Sequence, residues 1–426
     1  MLERVLLLPP RATLAYNTLA ALNAANAWHA FDRRGYGSVA SFTAGWPTSE
    51  LPLPTLGAHL AANAVAARLG GFRGRLAPLD LALAAGTAAG LVALQRSARG
   101  AAEVYDRALR DGLGADYADR VVQLEFPGPD AANARTPGVV RMFRIRRRFA
   151  HDRDIRYGPA RRANLLDVWR RDDLPRSASA PVLLQVPGGA WTIGNKQAQA
   201  YPLMSHLAER GWVCVAINYR LSPRNRWPAH IVDVKRAIAW VREHIGGFGG
   251  DPGFIAITGG SAGGHLSALA ALTPGEKQWQ PGFEDADTSV QAAVPFYGAY
   301  DWVNREGIGH RDLVPHLQRL VTRSKLTDDY DTFDRASPMS RINPDAPPFL
   351  ISHGVNDALI PVEEARLFAS RLRAVSKSPV VYAELPHAQH AFDIFGSPRA
   401  TAAAEATARF LGVVHGDHVR SHAPHP

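Results

Sequence analysis

Residues 254–264, Phe-Ile-Ala-Ile-Thr-Gly-Gly-Ser-Ala-Gly-Gly, constrain the fold of this chain more than any other stretch. Phe254 to Thr258 is a run of strand-forming residues, and Leu266 to Leu272 is rich in the helix formers Ala and Leu. Between them Gly259-Gly260-Ser261-Ala262-Gly263 fits Gly-x-Ser-x-Gly. A strand that turns so sharply into a helix strains the serine and exposes its Oγ, as in a nucleophile elbow. Gly259 and Gly263 are needed because a Cβ there would collide with the neighbouring strand or helix. The helix start aims unpaired N–H groups at whatever Ser261 attacks. The five-residue pattern alone carries little weight in a chain with 37 glycines. Its flanking strand and helix supply the weight.

A serine hydroxyl is a poor nucleophile near neutral pH, so a base and an orienting acid must accompany it. Pro348 to Ser352 reads as a strand running into His353-Gly354-Val355-Asn356-Asp357, which puts Asp357 on the following loop. Val380 to Leu385 is the next strand and leads into Pro386-His387-Ala388-Gln389-His390-Ala391-Phe392. One of the two histidines is expected to be the base. His390, in a His-x-Phe before the last helix, is preferred, and His387 is the alternative. An oxyanion hole is expected after the apolar strand Pro181 to Val186, in Pro187-Gly188-Gly189-Ala190-Trp191. There the N–H groups of Gly188 and Gly189 would join that of Ala262, because small residues let backbone donors approach a tetrahedral oxyanion.

With these residues in view, the chain resembles the hormone-sensitive-lipase-like and kynurenine-formamidase-like esterases of the α/β-hydrolases. It is most similar to the mycobacterial and actinobacterial carboxylesterase type. The matching residues run from Val182 to about Leu411. They include Gly188-Gly189-Ala190-Trp191, Asn218-Tyr219-Arg220-Leu221-Ser222-Pro223, Trp227-Pro228-Ala229 and Gly249-Gly250-Asp251-Pro252, besides the elbow and the Asp357 and His390 loops. The resemblance implies an α/β fold, a mostly parallel central sheet covered by helices on both faces. It implies a Ser261–His390–Asp357 triad hydrolysing short- or medium-chain acyl esters, some of them lipid-derived, through an acyl-enzyme. No cofactor and no metal is implied. An amidase or arylformamidase is the nearest rival, since Gly-Gly-x-Trp also occurs in that branch. A catalytically silent binding protein of the same fold is the other. One departure stands out: the family usually carries His where this chain has Pro187, so the loop's supporting hydrogen bonds must differ.

The 426 residues accommodate one hydrolase domain and an extra segment. Cys214 is the single cysteine and lies in the apolar strand Trp212 to Ile217, so it reads as a core residue and no internal disulfide can form. That fits a cytoplasmic location. The formal net charge is +9, and part of the excess lies between Arg141 and Arg171. Alternation of arginines with Met142, Phe143, Ile145 and Phe149, then Leu165, Leu166, Val168 and Trp169, predicts two edge strands with a solvated basic face. No nucleic-acid recognition motif accompanies the charge. Peripheral attachment to the anionic inner face of a membrane is the alternative the charge allows.

Residues 1–125 read as an N-terminal helical extension, with helices near 11–26, 56–69, 80–95 and 101–112. Two readings compete: a cap over the hydrolase mouth, or amphipathic helices resting on lipid. Leu81 to Leu94 carries no charge but is short for a bilayer span. Met1-Leu2-Glu3-Arg4, four apolar residues and Pro9-Pro10 make a poor signal peptide. Residues 126–411 form the catalytic domain. Within it, about 298–340 is a cap-like insertion whose Tyr297, Tyr300, Trp302, His310 and His316 are pocket candidates, together with Trp191. Residues 412–426, with His415, His418, His422 and His425, read as a disordered tail. Oligomeric state is not legible.

Overall fold

The computed structural model describes residues 10–128 and 139–422. The helices α1 (Pro10–Trp28), α2 (Ser38–Glu50), α3 (Pro52–Arg68), α4 (Ala77–Arg99) and α5 (Ala101–Leu113) come first. Next are α6 (Val139–Phe149), β1 (Ala150–Arg156), β2 (Leu165–Trp169), β3 (Ala180–Val186), α7 (Tyr201–Glu209) and β4 (Val213–Ile217). They are followed by α8 (Ala229–His244), β5 (Gly250–Gly260), α9 (Ala262–Leu272) and β6 (Ala292–Phe296). The chain continues through α10 (Leu313–His316), α11 (Tyr330–Ala336), β7 (Phe349–Gly354), α12 (Val362–Val375), β8 (Val380–Leu385) and α13 (Pro398–His422).

Among the described residues the sheet has eight strands in the order β1-β2-β4-β3-β5-β6-β7-β8. Strands β4, β3, β5, β6, β7 and β8 run parallel, while β1 and β2 are antiparallel to their neighbours at one edge. Every residue of β3, β4, β6 and β7 is buried, as expected of parallel strands covered on both faces. The two-residue strand period divides them between two cores. Val182, Leu184, Val213, Val215, Ile255 and Ile257 pack on one face. Leu183, Cys214, Ala216, Phe254 and Ala256 pack on the other. Cys214 is thus the buried core residue expected. Helix α8 presents Ile231, Val234, Ile238 and Val241 to the first core, at helical spacing.

Several expectations change. Arg144, Arg146 and Arg148 lie on the helix α6 rather than on a strand; the edge strands begin only at Ala150. Arg146 is turned inward to pair with the buried Asp167 at 2.6 Å, an ion pair that a solvated basic face would not make. Helix α5 does not belong with the N-terminal extension. It lies on β8 and α13 so closely that a Cβ on Gly112 would stand 3.0 Å from the Val381 backbone. Tyr105, Leu109 and Leu113 accordingly join the second core. The tail expected to be disordered from Gly412 instead continues α13 to His422, because Val413, Val414 and His415 are buried against the core. Met1–Pro9 and His425 lie outside the described residues.

Candidate active site

Helix α9 begins directly after β5, and Ser261 occupies the joint with φ 59° and ψ −122°. A non-glycine residue held there costs on the order of 1–3 kcal/mol, so the surroundings must over-determine it. They do: the Ser261 N–H donates to Phe296 O at 3.0 Å, and the Ser261 carbonyl accepts from His265 N–H at 2.9 Å. The glycines around it leave no room for a side chain. A Cβ on Gly259 would sit 2.5 Å from Val186 O, and one on Gly263 would run into the same oxygen.

Asp357 and His390, the expected acid and base, stand on the loops after β7 and β8. Asp357 Oδ2 accepts from His390 Nδ1 at 2.7 Å, and both side chains are buried. Asp357 Oδ1 accepts from the N–H groups of Leu359 and Ile360, each at 2.8 Å. His353 Nε2 lies 3.1 Å from Asp357 Oδ2. Burial raises the Asp357 pKa, but the His390 charge and the hydrogen bonds from His353 and His390 outweigh it and hold the carboxyl well below the usual range. Asp357 thus engages Nδ1 of His390 and leaves Nε2 as the other ring nitrogen. His387 is arranged differently. Its ring stacks on Trp28 at 3.8 Å and its Nδ1 lies 2.6 Å from Trp28 O, so it docks the N-terminal helices.

The Gly-Gly loop passes directly against the elbow: a Cβ on Gly188 would lie 3.3 Å from Ser261 Cβ. The Gly188 N–H, however, donates to Gln199 Oε1 at 2.7 Å, while Gln199 Nε2 lies 3.3 Å from Gly188 O. That donor is therefore occupied, which corrects its place in the expected oxyanion hole. Among the described residues, the N–H groups of Gly189, Ala190 and Ala262 have no hydrogen-bond partner. Gly189 at φ 127°, Ala190 at φ 49° and Trp191 at φ 61° give the loop its curl. The Tyr219 hydroxyl donates to Pro187 O at 3.0 Å, so a tyrosine and Gln199 support the loop that begins with proline here.

The pocket candidates separate. Tyr297 stands beside His390, its ring 4.5 Å away, and its hydroxyl donates to the buried Asp393. Tyr300 and Trp302 are wholly buried among aromatic neighbours: Tyr300 stacks on Phe368 at 4.3 Å, and Trp302 packs on Trp191, Trp227 and His265. Trp191 turns inward too. Its indole N–H donates to His265 Nδ1 at 3.2 Å and pins the Gly-Gly loop to α9. Burial pushes the His265 pKa down to about 3, so the ring stays neutral and can accept that bond. His310 bonds Ser38 Oγ at 2.8 Å, and His316 Nε2 reaches Ala190 O at 3.0 Å.

The BD-FAE family matches residues 166–372 of this chain. The probable carboxylic ester hydrolase LipM of Mycobacterium tuberculosis is 51% identical over 411 residues, 96% of this chain and 95% of that protein. The chain belongs to this family of carboxylic ester hydrolases. Esterase LipQ of the same organism is 46% identical over 90% of this chain and 86% of its own length. Among solved structures, Thermogutta terrifontis esterase 2 phosphonylated by sarin is 26% identical, with a TM-score of 0.53 over 63% of this chain and 95% of that one. The esterase fold is thus shared widely, and the LipM match is long enough to take in the N-terminal helices as well.

Helix α2 is the part of this esterase that the sequence reading missed. Phe42 meets His390 edge-on at 6.0 Å, and Trp46 Nε1 donates to Ala391 O at 2.9 Å. Ser-Val-Ala-Ser-Phe-Thr-Ala-Gly-Trp-Pro-Thr-Ser-Glu carries Gly45 and Pro47 and lacks a clean apolar stripe, so its helix is set by what it lies on. Gln199 was missed because its role depends on the β3–α7 loop folding back onto its own Gly188. Its replacement by Ala is expected to lower kcat/KM roughly tenfold to a hundredfold through two lost backbone contacts of about 1 kcal/mol each. Tm should move little, and the phosphonylation rate should fall in parallel. An unchanged rate would show that the Gly-Gly loop holds its shape without the clamp.

Proposed function

We propose that this esterase hydrolyses short- or medium-chain acyl esters through a covalent acyl-Ser261 intermediate. The observation that carries the proposal is the buried Asp357–His390 hydrogen bond, on the two loops that follow β7 and β8, with Ser261 at the strained elbow after β5. His390 Nε2 takes the Ser261 proton as Oγ attacks the ester carbonyl, and Asp357 stabilises the imidazolium that forms. The oxyanion is received by the N–H groups of Gly189 and Ala262, with Ala190 adjacent, while Gly188 is held by Gln199. His390 then protonates the leaving alcohol and activates the water that releases the acid. That the esterase of Thermogutta terrifontis is phosphonylated by sarin supports a serine nucleophile in this fold.

The covering of the site by α2 supports the modest acyl length. Phe42 lies against His390, so a long chain needs a path past it. The test is fluorophosphonate labelling together with turnover of p-nitrophenyl esters from acetate to palmitate. Labelling at Ser261 and a maximum at short or medium chain are expected; faster turnover of anilides or formamides than of esters would replace the reading with an amidase. Phe42→Ala is expected to shift the maximum toward longer chains, with KM for the longer esters falling several-fold. An unshifted profile would remove Phe42 as the gate.

A further inference from the structure

The packing of α1, α3 and α4 is inverted relative to a water-soluble bundle. Their polar side chains face inward and bond one another. Asn17 Nδ2 donates to Asn63 Oδ1 at 2.9 Å and to Asp80 Oδ1 at 2.6 Å. His59 Nε2 reaches Ala84 O at 3.0 Å. Leu19, Leu22, Leu53, Leu60, Val65 and Leu81 face outward and are exposed. Residues 12–31, 51–67 and 81–95 contain no Asp, Glu, Lys or Arg. Within residues 77–113, which hold α4 and α5, an apolar 18-residue stretch is only 22% buried, unlike a core helix.

The ends differ from the middle. Asn17 meets Asp80 and Asn63, while Ala27 packs with Leu91, Leu94 and Leu56, so α1 and α4 run parallel and α3 runs antiparallel to both. One end therefore collects Arg11, Arg68, Arg73 and Arg75, all exposed. The other carries Trp28, Phe31 and Tyr36, exposed beside the catalytic domain. At 1.5 Å per residue α1, α3 and α4 are about 26–35 Å long, enough to span a hydrocarbon core of about 30 Å.

We propose that α1, α3 and α4 form a membrane-embedded bundle whose outward apolar face is covered by lipid acyl chains. Polar side chains are tolerated in a bilayer when they face the bundle interior and bond one another, as these do. The four arginines meet anionic headgroups, and the aromatic end sits at the opposite lipid–water boundary. Helix α2 and the His387 loop then lie at that boundary. The chain is held in the membrane more firmly than peripheral attachment would hold it.

The test uses the full chain and needs no turnover, so it stands apart from the catalytic reading. Leu19→Cys and Leu60→Cys are labelled with an NBD fluorophore; Cys214 is buried and does not compete. The protein is purified in detergent and reconstituted into vesicles of three parts phosphatidylcholine to one part phosphatidylglycerol. Expected are a blue-shifted NBD emission, quenching by mid-chain doxyl lipid at least threefold stronger than by headgroup quencher, and retention after alkaline carbonate. A combined Leu19→Asp, Leu60→Asp, Leu81→Asp variant should be released from the vesicles while retaining its fluorophosphonate labelling in detergent. Release of the wild type by carbonate, or stronger quenching from the headgroup, would overturn the proposal. So would a detergent-free soluble dimer whose NBD groups are shielded by the second copy.

Discussion

Ser261→Ala is expected to abolish fluorophosphonate labelling and to lower kcat by about 10⁴- to 10⁶-fold, since triad members act as a unit and losing one forfeits most of what all three supply. His390→Ala should fall in the same range. Its Nδ1 is bound to Asp357, and it is the group proposed both to accept from Ser261 and to donate to the leaving alcohol. His387→Ala should keep kcat within a few-fold, because that ring is spent on Trp28. The same variant should loosen the N-terminal helices, seen as faster hydrogen exchange in α1 and α2. Steady-state turnover of a p-nitrophenyl ester and intact-mass labelling separate the cases. A large loss in His387→Ala with activity retained in His390→Ala would move the base, and the Asp357 contact would then be structural.

The candidate site was legible because each proposed part is local in sequence: a strand, then its loop, three times over. Ser261, Asp357 and His390 sit at strand ends, and the sheet brings strand ends together whatever the intervening helices do. The aromatic pocket candidates were not readable in this way. Tyr300 and Trp302 follow β6 just as Tyr297 does, and only their packing distinguishes a core residue from one beside the base. The Gly188 donor was misassigned for a related reason. A Gly-Gly pair predicts free N–H groups, but Gln199, eleven residues on, returns to occupy one of them. Helix α6 was read as strand because alternating arginines fit a period of two, whereas Ile145 and Phe149, four apart, also fit a helix. The inverted polarity of α1, α3 and α4 escaped because the few Asn, His and Asp residues there look like an amphipathic face turned to water. Only the side-chain bonds show that they face one another.

The largest effect on stability is expected at Arg399, which joins the N-terminal helices to the catalytic loop. Arg399 is wholly buried, and its guanidinium lies 3.2 Å from Glu50 Oε1 while donating to Ser49 O at 2.8 Å and Pro386 O at 3.1 Å. It thus ties the end of α2 to the loop that carries His387 and His390. Burial raises the Glu50 pKa above its ordinary 4.5, and Arg399 opposes that rise without cancelling it. The intact pair therefore contributes little net stability of its own, but removing one partner strands the other. Arg399→Ala should cost about 3–5 kcal/mol. A paired Glu50→Leu, Arg399→Met replacement should recover much of that. The pH dependence has a definite sign. Without the guanidinium, the folded state holds the Glu50 proton still more tightly than the unfolded chain does. Both proteins lose stability alike from about pH 4.5 up to the raised wild-type value, and the deficit of Arg399→Ala relative to wild type then widens as pH rises from there toward the still higher value of the variant. Denaturant melts at pH 5 and pH 8 should show the larger deficit at pH 8. A deficit that is equal at both, or larger at pH 5, would mean that Arg399 stabilises through its carbonyl contacts rather than through Glu50.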